Sequence, residues 1–165
     1  MTLKHSGTQS GLAFVGNGAF EMHIESIAEL EQIVLLLSES GLPVSDISQA
    51  HCPLFFGIQS DFCLNAVIGL ELFGSVGLIR SLAVSKACRG QRFGHQLVDF
   101  AEHYAAERGV ETLFLLTTTA AVFFQQLGYE QVARSDVPQD ISTTSQFSSL
   151  CPASSVVLSK SITGG

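Results

Sequence analysis

Residues 78–95 constrain this chain more than any other stretch. They read as a strand, a short loop rich in Gly and Arg, and the first turn of a helix. Such a loop aims several free backbone N–H groups at one spot, and the positive end of the helix dipole adds to them. A phosphate or pyrophosphate fits there. Arg89 and Arg92 add charge. A Gly-rich turn is also an ordinary way from strand to helix, so the loop alone leaves both readings open.

The surrounding residues narrow the choice. Arg89, Gly90, Gln91, Arg92, Phe93 and Gly94 follow the pattern R/Q-x-x-G-x-G/A, with Arg92 where Gly is preferred. Downstream, residues 120–129 follow A-x-x-F-Y-x-x-x-G-F/Y, with Phe124 in place of Tyr. These patterns resemble the two signatures of the GNAT superfamily of N-acetyltransferases, in the family's order and at its spacing. The resemblance spans residues 22–162. It implies acetyl-CoA as cosubstrate, its pyrophosphate on the amides and side chains of Arg89, Gly90, Gln91, Arg92, Phe93, Gly94 and His95. It further implies that the backbone of Leu82, Ala83 and Val84 pairs with the pantetheine arm and acetyl carbonyl, with Phe124 near the coenzyme sulfur.

Two narrower likenesses appear. Residues 115–118, Phe123, Phe124 and residues 156–158 resemble the acetyltransferase domain of bacterial N-acetylglutamate synthase. Residues 69–71, 78–84, 116–120 and 149–154 are similar to small N-acetyltransferases encoded in arsenic-resistance gene clusters. Both imply an amino acid, or an analogue of one, as the small-molecule amine acceptor.

The composition agrees with a small-ligand protein. The 165 residues suffice for one domain with a real core. Only 14% are charged and the net charge is −7, which excludes the clustered Lys and Arg that nucleic acid needs. Arg80, Lys86, Arg89 and Arg92 stand together, a basic mouth on an acidic body. Residues 112–127 are the most apolar uncharged stretch. Thr117, Thr118, Thr119, Gln125 and Gln126 interrupt it, and it falls short of the roughly 20 residues of a membrane span. Residues 1–18 lack the apolar core of a signal peptide, which points to the cytoplasm. Cys52, Cys63, Cys88 and Cys151 form no C-x-x-C pair and read as unlinked thiols; convergence on a thiophilic ligand such as trivalent arsenic stays open.

The expected organisation is a flexible leader over residues 1–20 and a single N-acetyltransferase domain over residues 21–165. Residues 22–25 read as a first strand. Ser26 then caps a helix, with Glu29 completing a capping box and Ile27, Leu30, Val34 and Leu37 on one face. Ser40 and Gly41 end it. Residues 42–53 are a loop or short helix, which by the resemblance covers the acceptor pocket. Residues 54–59 and 64–73 pair antiparallel, and Gly74 and Ser75 turn into a strand over 76–84. A helix over 94–108 carries a stripe of Phe93, Leu97, Ala101, Tyr104 and Arg108. The apolar strand 112–117 reads as a parallel central strand. A short helix over 120–127 follows, then strands over 130–134 and 155–159. The Ser/Thr-rich segment 135–154 between them is long enough to be functional or partly mobile. The fold class is therefore α+β. Its sheet is GNAT-like, mixed and mostly antiparallel, with flanking helices and a splayed parallel pair between strands 76–84 and 112–117.

Acetyl transfer needs a neutral amine, a polarised thioester carbonyl and an outlet for the thiolate. A backbone N–H of Leu82, Ala83 or Val84 serves the carbonyl. Glu71 lies in the apolar run 67–73, where a carboxylate is costly without a task or partner. It reads either as general base or as a structural partner of Arg80, and relayed water is the alternative base. The synthase relatives have Glu where this chain has Leu78, and Ser where it has Ala120. Thr117, Thr118 or Thr119 can donate a proton, or merely satisfy strand-end backbone. Arg80 is the better candidate for an acceptor carboxylate; Arg134 is the other. If position 92 needs a positive φ, Arg costs roughly 1 kcal/mol over Gly. His5, His23, His51, His95 and His103 show no metal-site spacing, so no metal is expected.

The leading expectation is an N-acetyltransferase of a small amino acid or analogue, with a role in arsenic or toxin resistance. A coenzyme-A-binding sensor or regulatory module without turnover is the alternative, and a protein-acetylating enzyme the third reading. No nucleic-acid or membrane partner is expected, and a homodimer is left open.

Overall fold

The computed structural model describes residues 23–48, 52–150 and 152–163. The expected leader, Met22, His51 and Cys151 lie outside the described residues. Among the described residues one sheet of seven strands has the order β1-β2-β3-β4-β5-β7-β6. The strands are β1 (Ile24–Ser26), β2 (Leu54–Ser60), β3 (Cys63–Phe73), β4 (Val76–Val84), β5 (Thr112–Thr117), β6 (Glu130–Val132) and β7 (Val156–Ser161). The β4–β5 pair is parallel and the rest are antiparallel.

Helix α1 (Leu30–Glu39) starts later than the capping-box pattern predicts. Ser26 is taken by the sheet, opposite Phe56, and Ile27 N–H bonds the Phe55 carbonyl. No side chain caps α1. The later start changes the buried face to Ile33, Leu36 and Leu37. Helix α2 (Phe93–Glu107) crosses between β4 and β5 and buries Phe93, Leu97, Val98, Ala101 and Ala105. Its expected stripe is buried at Phe93, Leu97 and Ala101, Tyr104 packs half-buried against Phe56, and Arg108 is exposed and lies over the Tyr104 ring, 3.4 Å from its centroid.

Neighbouring residues on a strand point to opposite faces, so a sheet covered on both sides reads as an unbroken apolar run. Phe56, Ile68 and Ile79 pack under α2, while Phe55 and Val67 pack under α1. Leu78 joins Phe114, Ile141 and Val157 in a third cluster. That cluster fastens segment 134–155 to the sheet. The segment is not a bare mobile loop: it holds a 3-10 turn at Arg134–Asp136, α4 (Gln139–Ser142) and a π-helical turn at Gln146–Leu150. Ile141 is fully buried. Arg134 donates from Nη2 to the carbonyls of Pro152 and Ser155, at 3.1 and 3.2 Å. It ties down the end of the segment instead of awaiting a carboxylate.

The feature that makes the site is a bulge in β4. Val67 pairs with Ala83 but Gly69 pairs with Arg80, so β4 spends one extra residue over that step. Ser81 sits there at φ 56°, in the left-handed region. A bulge bends its strand. The β4–β5 ladder runs from Val76 opposite Thr112 to Leu78 opposite Phe114 and then stops. Both strands continue: β4 pairs with β3 as far as Ala66 opposite Val84, and β5 with β7 as far as Thr117 opposite Val156. They run on apart, as the GNAT resemblance implies for this pair. No helix among the described residues is long and apolar enough to cross a membrane.

Candidate active site

The gap between β4 and β5 is a cavity of about 520 Å³. Leu82, Ala83 and Val84 line one wall and residues 115–120 the other, with Phe124 behind. Ser40, Gly41, Leu42 and Pro43 close it from the end of α1, and Gln146, Pro152 and Ser155 from the covering segment. Beyond Leu78, the edge of β4 facing this gap has no strand partner among the described residues, so its backbone groups are open to a ligand apart from the Val84 carbonyl, which Arg89 reaches.

Leu82, Val84 and Arg89 also line a second cleft of about 370 Å³ with Gly90, Arg92, Phe93, Gly94 and His95. Helix α2 begins at this cleft, and the first-turn amides of a helix lack intrahelical partners. Gly90 has φ 82° and Arg92 φ 64°, both left-handed, so the cost expected of Arg at position 92 applies. Gly94 leaves space for the Phe123 ring: a Cβ there lies 3.3 Å from Phe123 Cζ. Arg89 Nε donates to the Val84 carbonyl at 3.4 Å. Gln91 is exposed and lines neither cavity. This turn fits an anionic pyrophosphate, with amides at a helix start and two Arg beside them.

Phe124 is buried and packs edge-on against Phe123 and Tyr129. It brings no hydroxyl to the cavity. Thr117 Oγ1 accepts from Ala120 N–H at 2.8 Å and Thr119 N–H at 3.3 Å, which starts α3 (Ala121–Gln126). The hydroxyl keeps its own proton to give.

Arg80 lines the main cavity and also a third one, of about 480 Å³. Asp46, Cys52, Glu71 and Asp140 line that third cavity with Thr143, Thr144 and Ser145. Glu71 does not line the cavity between β4 and β5; it stands across Arg80 from it. The Arg80 side chain is 2% exposed. Its Nη2 donates to Asp46 Oδ1 at 2.7 Å and its Nη1 to Asp46 Oδ2, a bidentate pair. Nε donates to Ser81 Oγ at 3.1 Å. Glu71 Oε2 meets Nη1 at 3.5 Å. The fork that the sequence offers to an acceptor carboxylate is thus filled by Asp46. Burial pushes the Glu71 carboxyl above its ordinary value, and the Arg80 charge pulls it part of the way back.

Sequence reasoning missed Asp46. Its signal was available: it is the sole charged residue between Glu39 and Asp61. Gln146 and Ser155, buried polar residues at the cavity, gave no such signal within a Ser/Thr-rich stretch. Cys52, Cys63 and Cys88 are free thiols. Among the described residues no three His, Cys, Asp or Glu gather as a metal-ion site.

A family model described as an acetyltransferase (GNAT) domain matches residues 55–131. That stretch holds β3, β4, the turn, α2, β5 and α3, but not Asp46 or segment 134–155. An uncharacterized N-acetyltransferase of Chlorobaculum tepidum, CT2212, is 40% identical over 63 residues, 38% of this chain and 40% of that protein. N-acetylglutamate synthase from Neisseria gonorrhoeae, solved with coenzyme A and N-acetyl-glutamate, matches at TM-score 0.73 and 21% identity. The match covers 88% of this chain and 36% of that chain. Rv2747 from Mycobacterium tuberculosis, solved with coenzyme A, matches at TM-score 0.69 and 16% identity over 84% of this chain and 98% of that one. The chain therefore spans about two fifths or less of the curated relative and of the synthase. At these identities the solved structures share the fold. The signature loop, the bulged β4 and the parted β4–β5 pair all lie within residues 55–131, the stretch that matches the GNAT acetyltransferase domain model.

Proposed function

We propose that the protein transfers the acetyl group of acetyl-CoA to the amine of a small amino acid or a close analogue. One observation carries this reading. The cavity between β4 and β5 shares Leu82, Val84 and Arg89 with the anion-binding turn and Arg80 with the third, acid-lined cavity. A cosubstrate held at the turn reaches toward an acceptor that approaches past Arg80.

In this reading Gly90, Arg92, Gly94 and His95 hold the pyrophosphate, and Arg89 adds charge at the rim. Acetyl-CoA supplies an activated acyl group on a thiol leaving group. Backbone N–H groups of Leu82, Ala83 or Val84 polarise the thioester carbonyl. The acceptor amine forms a bond to the carbonyl carbon and the carbon–sulfur bond breaks. Glu71 takes the amine proton, directly or through water, while the departing thiolate accepts a hydrogen bond from the Thr117 hydroxyl and takes its proton from solvent. Phe124 keeps that end of the cavity apolar. The acceptor class is supported by the amino-acid ligand of the synthase neighbour and by the arsenic-cluster likeness of residues 116–120 and 149–154.

The test is thiol release from acetyl-CoA across the twenty protein amino acids and their phosphorus and arsenic analogues, beside calorimetry with acetyl-CoA. Saturable release with one of them supports the reading. Binding of acetyl-CoA with no release from any of them replaces it with the coenzyme-A-binding module.

A further inference from the structure

Arg80 offers five N–H donors in one plane, and the way they are shared matters. Asp46 takes two in parallel, Ser81 takes Nε, and Glu71 is left with Nη1 at 3.5 Å, the outer limit of a hydrogen bond. Asp46 is also the more buried carboxylate, its side chain 14% exposed against 26% for Glu71. Asp46 is thus the carboxylate that fills the fork. A carboxylate that is only brushed by the same Arg keeps its affinity for a proton.

We propose that Asp46 is a positioning residue for Glu71: by filling the fork of Arg80 it leaves Glu71 loosely paired and able to accept the proton of the acceptor amine. The inference rests on the reading of Glu71 as base given above. The charged and titratable groups lining the cavity with Glu71 are Arg80 from β4, Asp46 and Cys52 from the segment between α1 and β2, and Asp140 from α4. Burial raises the Glu71 carboxyl most, Arg80 lowers it, and the Asp46 charge raises it again. Removing Asp46 therefore acts twice in one direction. It deletes a nearby negative charge, and it frees the guanidinium to close on Glu71.

The experiment is a carbon-13 titration of the protein with labelled glutamate carboxyls, the Glu71 signal being the one missing in Glu71→Gln. In the wild type this signal titrates above the ordinary glutamate value. In Asp46→Asn its midpoint moves to lower pH. The acid limb of kcat/KM, measured with whichever amino acid releases thiol, moves the same way. An unmoved or raised midpoint in an Asp46→Asn protein that melts like the wild type overturns the proposal. If Asp46→Asn does not fold, the wild-type signal decides: a midpoint at or below the ordinary glutamate value overturns it equally. Absence of thiol release from every amino acid removes the role of Glu71 as base, while the titration still reports whether Asp46 controls its pairing.

Discussion

Gly69 on β3 stands directly across from Arg80 on β4, and a Cβ at Gly69 lies 3.1 Å from Arg80 Cγ. The same Cβ lies 3.1 Å from Phe55 Cε1 and 3.2 Å from the Arg80 carbonyl, so it is confined on several sides. Gly69 is what admits the Arg80 stem at the bulge. Gly69→Ala is expected to cost about 1–3 kcal/mol by overpacking. It should also lower kcat/KM, because the guanidinium is pushed from Asp46. Urea melts and thiol-release kinetics check both. Wild-type stability together with wild-type kinetics shows that Arg80 has slack here.

Arg80 and Glu71 should respond very differently to removal. Arg80→Ala leaves Asp46 and Glu71 facing each other with no cation, and about 3–5 kcal/mol of stability is expected to be lost. Glu71→Gln leaves Arg80 still clamped by Asp46. Its melting temperature should therefore barely change. Its kcat/KM should fall tenfold or more, roughly 1.4 kcal/mol of transition-state stabilisation, with acetyl-CoA affinity untouched. Full activity in Glu71→Gln makes relayed water the base.

The turn before α2 separates backbone cost from the proposed ligand gain. Arg92→Gly relieves a left-handed residue and should stabilise the apoprotein by roughly 0.5–1 kcal/mol, while weakening acetyl-CoA through the lost charge. Gly94→Asp puts a carboxylate at the anion site and a side chain against Phe123, so it should weaken acetyl-CoA more. Calorimetry should place wild-type binding between low micromolar and submillimolar. No heat at millimolar acetyl-CoA would remove the cosubstrate assignment altogether.

Phe124 acts through packing. Phe124→Leu removes two edge-on ring contacts and should cost about 1–2 kcal/mol. The pH dependence of turnover should stay as in the wild type, since no titrating hydroxyl is lost. Loss of activity in a protein that melts normally and binds acetyl-CoA points instead to direct contact with the reacting thioester.

Local patterns were legible in the chain itself. The Gly/Arg turn, the strand before it and the helix after it depend on neighbours within a few residues. The Gly74 turn sets which strands adjoin, and with them the closeness of Glu71 and Arg80. Apolar runs announced a sheet buried on both faces, and the length between strands 76–84 and 112–117 required a crossover. What tertiary structure alone decided is the pairing of charges. Asp46 and Arg80 are 34 positions apart, and no periodicity joins a loop to a strand. Which carboxylate takes a buried guanidinium depends on how the loop, the bulge at Ser81 and the gap at Gly69 pack together. The capping box at Ser26 failed for a related reason: a side-chain cap is a weak local preference, and the ladder to Phe56 outweighs it.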